Sequence, residues 1–252
     1  MSGSLAGLGV LVTRPAHQAD GLCQAIEDAG GRALRLPLLE IVPAPDPKTV
    51  AARLDAARGA DWWIFTSANA VREAVRLDNG AWPRLAAAGA ATAEALCAAG
   101  REAMLVPAGS DGTPGLLAAP ELAAPAGRRI LIVTGADSLP ALAAGLRARG
   151  AQVDVAEVYR RLPVAHPPAA VAAALAPAAV AIVSSSEALQ QLFHLAPPPL
   201  RARLLDLQLA LPSARVVEKA RELGFARTPL LPARVSDSAW LELLQRWRLD
   251  AP

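Results

Sequence analysis

The sequence predicts an α/β protein of two three-layer lobes, each formed by a parallel sheet with helices on both faces. Short apolar segments rich in β-branched residues alternate with segments of helical periodicity, and glycines and prolines separate them. The pattern of the first half of the chain returns in the second half. With 252 residues, 53% of them hydrophobic, the chain can form two domains of ordinary size. These observations together predict an internally duplicated α/β fold.

The first half opens as strand, turn, helix and extended segment. Residues 9–13 form a short apolar strand, and residues 22–29 have the apolar spacing of a helix that the following glycines end. Residues 32–42 are extended in pattern and stop at Pro43, so one long strand is predicted there. Residues 61–71 then read as an apolar strand, a hydroxyl-rich turn and a helix.

The second half repeats this plan. Residues 129–134 form a strand rich in Ile and Val, and residues 152–159 are again extended. Between them, Leu139, Leu142 and Leu146 mark a helix that a glycine ends. The strand, turn and helix of the first half return further on, where Ser184 and its neighbours follow another apolar strand.

Equivalent positions in the two halves lie at a nearly constant separation. Thr134 follows Thr13 by 121 residues, Ser184 follows Thr66 by 118, and Gly224 follows Gly100 by 124. Three matches near one offset predict an internal duplication of about half the chain. Chance similarity between alanine-rich helices is the alternative, and the clustering of the offsets disfavours it.

The charge balance and the hydropathy pattern exclude several classes of protein. The net charge is +2, from 25 basic and 23 acidic residues without a Lys/Arg block, so no nucleic-acid partner is expected. No apolar stretch approaches the length of a membrane span, and no secretory signal begins the chain, so a cytoplasmic location is expected. Cys23 and Cys97 are expected to be small core residues without a disulfide.

Sequence motifs for common cofactors and catalytic sets are absent. His17, His166 and His194 lack metal-ligand spacing. No phosphate-binding loop, dinucleotide-binding turn or Gly-x-Ser-x-Gly elbow occurs. Neither a metal nor a nucleotide or redox cofactor is therefore predicted.

Hydroxyl-bearing residues follow the predicted strands and begin two predicted helices. The strand ends carry Thr13-Arg14, Thr66-Ser67, Thr134-Gly135 and Ser184-Ser185-Ser186, and the helix starts carry Thr92 and Ser213. Such residues cap helices, and the same free N–H groups can hold an anion. Simple capping explains any single position, but all six at the same edge of their sheets favour a shared anionic ligand.

Tyr159 is the only tyrosine, and it ends the extended segment of the second half. In a cleft its phenol can donate a proton or a hydrogen bond, whereas a tyrosine packed at a hinge is the alternative. Trp62 and Trp63 are neighbours on one strand and must face opposite sides of it, so at least one is expected in the core.

Four segments resemble the uroporphyrinogen-III synthase family: residues 10–15, 61–71 and 89–96, and the strand that ends at Tyr159. The resemblance extends from about residue 8 to about residue 245. It implies two lobes joined by a two-stranded antiparallel linker. The implied boundaries are residues 1–36 with 164–252 for lobe 1, residues 43–158 for lobe 2, and residues 37–42 and 159–163 for the linker.

The resemblance also implies an activity. The substrate is hydroxymethylbilane, a linear tetrapyrrole with acetate and propionate arms, and the product is uroporphyrinogen III of porphyrin and haem biosynthesis. The enzyme is a lyase that closes the macrocycle with inversion of the last pyrrole ring and loss of water. It uses no cofactor, and a monomer is expected.

The resemblance implies a set of site residues. Tyr159 matches the cleft tyrosine of the family and is expected to assist departure of the substrate hydroxyl. The substrate arms are expected to bind at Thr13, Arg14, Ser67, Ala68, Asn69, Thr92, Ser185, Ser186, Ser213 and Arg215. The chain departs from its relatives at residues 135–140, where many carry a Gly-Arg pair, and at residues 212–215, where a threonine-bearing turn is usual.

Two other readings remain open. Two α/β lobes also suit a non-enzymatic cytoplasmic binding protein that closes around an anionic small molecule. The two departures would also fit an inactive paralogue of the enzyme.

Overall fold

The computed structural model describes residues 3–110, 112–136, 138 and 140–250. The strands are β1 (Gly9–Val12), β2 (Arg32–Arg35), β3 (Leu39–Pro43), β4 (Trp62–Phe65), β5 (Arg84–Ala87), β6 (Arg129–Gly135), β7 (Gln152–Pro163), β8 (Val180–Ile182) and β9 (Gln208–Ala210). The helices of the first half are α1 (Asp20–Asp28), α2 (Pro47–Ala56), α3 (Ala68–Leu77), α4 (Ala90–Ala98) and α5 (Gly112–Ala118). Those of the second half are α6 (Ala141–Ala148), α7 (Pro168–Leu175), α8 (Ser186–Leu195), α9 (Arg201–Leu205), α10 (Ala214–Glu222) and α11 (Asp237–Asp250). Short 3-10 helices lie at Ala16–Gln18, Pro120–Leu122 and Pro198–Leu200.

The chain divides into two compact units. The first comprises the chain up to Glu40 and from Leu162 onward, and the second comprises Ile41–Arg161. The first unit holds a four-stranded parallel sheet of order β2-β1-β8-β9. The other sheet has the order β3-β7-β6-β4-β5, in which β7, β6, β4 and β5 run parallel. The predicted α/β class with parallel sheets is confirmed.

The prediction of one long strand over residues 32–42 was wrong. Two strands, β2 and β3, occupy this stretch and belong to different sheets. Pro37 lies between them, and a proline has no N–H to donate to a strand ladder. Before the break the chain still follows β1, because the Leu36 N–H donates to the Val12 carbonyl at 3.0 Å. The corresponding segment of the second half, β7, is continuous over 12 residues.

Each sheet is buried on both faces, as the apolar strands predict. On β4, Trp63 and Phe65 face one core cluster while Trp62 and Ile64 face another. Trp62 and Trp63 are only 3% and 0% exposed, so both tryptophans are core residues on opposite faces. The indole N–H of Trp63 donates to the Ala57 carbonyl at 2.9 Å, which satisfies its one buried donor.

Local signals set the ends of several helices. Gly30, Gly100, Gly150 and Gly224 follow α1, α4, α6 and α10 with φ between 69° and 87°, the left-handed conformation that ends a helix. The expectation that both cysteines are core residues holds for Cys23 but was wrong for Cys97, which lies on an exposed face of α4. Among the described residues, no helix combines the length and the apolar character that a bilayer span requires.

Candidate functional site

The carboxyl ends of the parallel strands gather most of the predicted site residues within each unit. In the first unit Thr13 follows β1, Ser185 follows β8 and Ser213 follows β9. In the second unit Ser67 follows β4, and Tyr159 lies near the end of β7. Because the strands of each sheet run parallel, these residues lie at one edge of their own sheet.

A β-bulge determines which face of the sheet carries Tyr159. The register of β6 and β7 pairs Thr134 with Glu157 and then Gly135 with Tyr159, so Val158 is an extra residue. Side chains of a strand alternate between faces, and one extra residue shifts that alternation. Tyr159 therefore joins the same core cluster as Val158, on the face that also carries Trp63 and Phe65.

The Tyr159 ring packs against Gly135, and its hydroxyl contacts Ser67. The phenol oxygen lies 3.2 Å from Ser67 Oγ, and Tyr159 is only 3% exposed. A Cβ atom added at Gly135 would lie 2.5 Å from Cζ of the ring, so no side chain fits there without displacing Tyr159. The Ala136 N–H donates to the Tyr159 carbonyl at 2.8 Å and fixes the backbone beside the ring.

Ser67 has two structural contacts. Its Oγ caps α3 by accepting the Ala70 N–H at 3.1 Å. The same oxygen is the hydrogen-bond partner of the Tyr159 hydroxyl. A serine hydroxyl has one proton and two acceptor lone pairs, so it can serve both contacts at once. Ser67 is half-buried and therefore connects the buried phenol to the accessible edge of the sheet.

A second chain of hydroxyls links the ends of β4 and β6. Thr66 Oγ1 lies 2.7 Å from Thr134 Oγ1, which donates to Ser138 Oγ at 2.7 Å. Ser138 in turn donates to the Gly135 carbonyl at 2.5 Å. These hydroxyls hold the turn after β6 in place. Asp137 and Leu139 lie outside the described residues. Both belong to residues 135–140, where the chain differs from the pattern of its relatives, and Leu139 also belongs to a predicted helix.

Thr13 and Arg14 already have partners within the first unit. The Thr13 side chain is 1% exposed, and its hydroxyl donates to the Ile182 carbonyl at 2.8 Å. This bond joins two strands, so the Thr13 hydroxyl is already used within the fold. The Arg14 guanidinium forms an ion pair with Asp237, at the start of α11.

The serine after β8 matches the serine after β4. Ser185 caps α8 by accepting the Ala188 N–H at 3.1 Å, the same geometry that Ser67 has on α3. Ser186 is the first residue of α8 and is half-buried. Simple capping was the alternative explanation for any single hydroxyl position, and it applies at Ser67 and Ser185.

Two other helices begin without a side-chain cap. The prediction that Thr92 starts α4 was wrong, because α4 begins at Ala90, with Gly89 at the N-cap, and Thr92 is a buried residue of the first turn. Glycine is tolerated at an N-cap, so the hydroxyl pattern misplaced the boundary. Ser213 does occupy the N-cap of α10 but is exposed and makes no capping hydrogen bond.

The uncapped helix ends retain backbone donors. A helix N-terminus without a side-chain cap presents free N–H groups and the positive end of its dipole. The side chain of Arg215, in the first turn of α10, is exposed beside them. The corresponding turn of α3 carries half-buried Ala68 and Asn69, and Asn69 Oδ1 accepts a hydrogen bond from Arg72 at 3.1 Å.

Two contributors to the site escaped prediction. Gly135 was noted only as a neighbour of Thr134, although its missing side chain makes room for Tyr159. Asp237 lies 223 residues from its partner Arg14, and no local pattern signals such a pair. Within the described residues, no three His, Cys, Asp or Glu side chains are grouped so that they could hold a metal ion.

The fold and the site define a two-unit α/β protein whose parallel strands end in capping serines, uncapped helix starts and one buried tyrosine. A family model described as uroporphyrinogen-III synthase HemD matches residues 20–238. The chain therefore belongs to the uroporphyrinogen-III synthase family.

Individual relatives agree with this assignment. The chain is 33% identical over 227 residues to uroporphyrinogen-III synthase of Escherichia coli (strain K12), covering 86% of this chain and 92% of the relative. It is 30% identical over 161 residues to uroporphyrinogen-III synthase of Proteus mirabilis, covering 62% of this chain and 81% of that one.

Solved structures share the fold. A mutant uroporphyrinogen III synthase of the extremely thermophilic bacterium Thermus thermophilus aligns with a TM-score of 0.64 at 22% identity, over 96% of this chain and 99% of the other. Uroporphyrinogen-III synthetase of Helicobacter pylori 26695 aligns with a TM-score of 0.63 at 14% identity, over 95% and 99%.

Proposed function

We propose that this chain cyclises hydroxymethylbilane to uroporphyrinogen III, with inversion of the last pyrrole ring and loss of water. The observation that carries the proposal is the 33% identity to a uroporphyrinogen-III synthase over 92% of that enzyme's length. The reaction makes the protein a lyase of porphyrin biosynthesis. The cofactor-free chemistry, the cytoplasmic location, the monomeric state and the lack of a nucleic-acid partner remain predictions from the sequence.

The chemistry requires control over which atoms meet. Loss of the substrate hydroxyl leaves a reactive azafulvene that closes spontaneously to the wrong isomer. The protein must therefore hold the chain so that one ring carbon is attacked before another, which is catalysis by positioning. Backbone donors and fixed hydroxyls at the strand ends suit this task, because their geometry is set by the sheets and not by flexible side chains.

Tyr159 is the candidate acid. Its hydroxyl has a fixed direction because Ser67 Oγ lies 3.2 Å away and the ring rests on Gly135. Exposure of only 3% shields the phenol from bulk water, which strengthens a hydrogen bond to a leaving hydroxyl. Half-buried Ser67 offers a route for a proton between Tyr159 and the edge of the sheet.

The carboxylate arms are proposed to bind at the helix starts. The uncapped first turns of α4 and α10 supply backbone N–H groups, and exposed Ser213 and Arg215 add a hydroxyl and a charge. Ser185, Ser186, Ala68 and Asn69 contribute through the first turns of α8 and α3. Thr13 is proposed to enter through its backbone, because its hydroxyl donates to the Ile182 carbonyl. Thr92 is proposed to enter through its side chain, because its N–H donates to the Gly89 carbonyl at 3.0 Å. Arg14 retains N–H groups beyond those that face Asp237.

We also propose that the two halves arose by duplication. The strand orders β2-β1-β8-β9 and β7-β6-β4-β5 correspond position by position when the halves are matched. Isolated parallel bridges at Ala86–Leu105 and Ala210–Leu230 follow equivalent strands, and the separations are 124 and 125 residues. The equal capping geometry of Ser67 and Ser185 supports the same relationship.

The linker and the lobe boundaries belong to this proposal. Residues 37–42 and 159–163 form the linker, residues 1–36 with 164–252 form lobe 1, and residues 43–158 form lobe 2. In the first unit the Val164 N–H donates to the Leu38 carbonyl at 2.9 Å, and in the second the Ala44 N–H donates to the Val158 carbonyl at 3.2 Å. These two bonds lie at the ends of the linker segments, where bonds are expected if the segments run antiparallel.

The test of the function supplies hydroxymethylbilane to the purified protein and separates the products by chromatography after oxidation. Formation of the type III isomer faster than the spontaneous reaction is expected. Type I product alone, at the spontaneous rate, would refute the enzymatic function. Saturable binding of hydroxymethylbilane without type III product would instead identify a binding protein.

A further inference from the structure

Arg160 follows Tyr159 on β7 and combines a buried donor with a lack of partners. Arg160, Arg161 and Arg201 have a buried Nε–H without a hydrogen-bond partner. Arg161 has other interactions, and the Arg201 guanidinium lies over the Phe193 ring with its Cζ 4.8 Å from the centroid. With the residues that the structure describes, the Arg160 side chain forms no hydrogen bond, ion pair or ring contact.

A half-buried guanidinium without a partner is unfavourable. Its Nε–H has lost water without gaining an acceptor, and its charge forms no ion pair with a described carboxylate. Of its nitrogens only Nε is both buried and unpartnered, so the two terminal nitrogens reach solvent. The apolar stem of Arg160 is therefore packed in place, while the charged end is open to an acceptor that the protein does not supply.

The position of Arg160 places this open charge at the site edge. The register of β6 and β7 ends at the Gly135–Tyr159 pair, and Arg160 is the next residue along the chain. Successive side chains of a strand alternate between faces. Arg160 therefore leaves β7 on the face opposite Tyr159 and would meet a different part of a ligand from the part that meets the phenol.

We propose that the Arg160 guanidinium binds one carboxylate arm of the tetrapyrrole substrate through its two terminal nitrogens. A carboxylate matches the fork of an arginine in a paired, charge-assisted contact, which a lysine cannot reproduce. This inference rests on the proposed function. It makes Arg160 a substrate-positioning residue that acts on affinity and isomer choice, with little effect on departure of the hydroxyl.

The experiment compares Arg160→Gln, Arg160→Lys and a matched control, Arg201→Gln. Arg201 is a suitable control because it also has a buried Nε–H without a partner. It lies far from Tyr159 along the chain and outside the proposed site. For each variant the KM for hydroxymethylbilane, the kcat, the ratio of type III to type I product and the melting temperature are measured. Equilibrium binding of the polycarboxylate uroporphyrin III, followed by fluorescence, gives a readout that does not need turnover.

Arg160→Gln is expected to raise the KM and to weaken uroporphyrin III binding by about tenfold to 100-fold, the range for a hydrogen bond to a charged group. Its share of type I product rises because a loosely held chain closes spontaneously. Its melting temperature stays within about 3 °C of the wild type, since the residue has no protein partner to lose. Arg160→Lys is expected to retain part of the affinity, and Arg201→Gln all of it.

An unchanged KM and unchanged uroporphyrin III affinity in Arg160→Gln would overturn the proposal. So would a strongly lowered melting temperature with normal binding, because that result assigns Arg160 to the stability of the fold. If Arg160→Gln does not fold, the test uses Arg160→Lys instead. Wild-type affinity of Arg160→Lys for uroporphyrin III would then refute paired carboxylate binding. Failure of the wild type to form type III product overturns the proposed function itself, and uroporphyrin III binding then tests Arg160 separately.

Discussion

Gly135 and Tyr159 are paired across neighbouring strands, and the tyrosine ring occupies the space where any other residue would place its Cβ. The contact explains why a glycine stands at the end of β6 although its φ is not in the left-handed region. It also ties the direction of the proposed catalytic phenol to a residue that has no chemical function of its own.

Gly135→Ala is expected to lower kcat at least about tenfold and to destabilise the protein by about 1–3 kcal/mol, because the new methyl group must displace the packed ring. Steady-state kinetics and urea denaturation measure the two effects. Gly145→Ala is the control, since a Cβ there meets only the flexible end of Leu117. Wild-type kcat in Gly135→Ala would show that the position of the ring does not matter for the reaction.

Tyr159→Phe keeps the ring and removes only the hydroxyl beside Ser67. If the phenol acts as an acid, kcat falls about 100- to 10,000-fold, whereas a loss near tenfold indicates that it only positions the substrate. A full rate and unchanged isomer ratio would exclude both roles. Single-turnover measurements with hydroxymethylbilane distinguish these outcomes from slow product release.

Ser67→Ala is expected to remove two contacts at once, the cap of α3 and the partner of the Tyr159 hydroxyl. The loss of the cap costs about 1 kcal/mol of unfolding free energy, and Ser185→Ala should cost the same because its capping geometry is equal. A double-mutant cycle of Ser67→Ala and Tyr159→Phe should show coupling in log kcat, since the residues touch. Additive effects would mean that Ser67 does not act through the phenol.

Asp78 is expected to make stability depend on acid. Burial raises its pKa, but hydrogen bonds from the Gly80 N–H, Arg58 and Trp82 outweigh that effect and hold the pKa below its ordinary value. A carboxyl group with a lowered folded-state pKa stabilises the fold above its unfolded pKa of about 4, and this stabilisation is lost as the pH falls through the lower folded-state pKa. Asp78→Asn should lower the free energy of unfolding by about 1–3 kcal/mol at neutral pH. It should also reduce the loss of stability between neutral and acidic pH.

Urea denaturation between neutral pH and pH 3 tests this expectation. Asp55→Asn is the matched control, because Asp55 pairs with the same Arg58 but its side chain is 74% exposed. An exposed pair contributes less than about 1 kcal/mol. Equal losses in the two variants would contradict a special role for Asp78.

The sequence pattern predicted the strand–turn–helix segments well and the exact bounds of several strands and helices poorly. The strand, serine turn and helix around Ser67 and Ser185 follow from periodicity and capping preference, which are properties of adjacent residues. The break near Pro37 was missed because leucines continue on both sides of it, at positions 34, 36, 38 and 39, although the proline was visible there. The start of α4 was misplaced because a glycine, without any side-chain signal, takes the N-cap in place of Thr92.

The site was predictable in its location and less so in its details. Parallel strands bring their carboxyl ends to one edge, so the pattern correctly indicated where Ser67, Ser185 and Ser213 would lie. It could not indicate that the Thr13 hydroxyl is used by the Ile182 carbonyl, or that Arg14 pairs with Asp237, because those partners are distant in the chain.

The extra residue at Val158 gives β7 one residue more than β6 between the Ile130–Val153 pair and the Gly135–Tyr159 pair. Deleting one residue between Val153 and Tyr159 would therefore remove the bulge and leave Tyr159 opposite Gly135 on the same face of the sheet, so the phenol would keep its direction. A relative that lacks the extra residue can keep this tyrosine in place, because its β6 and β7 would then pair without a bulge.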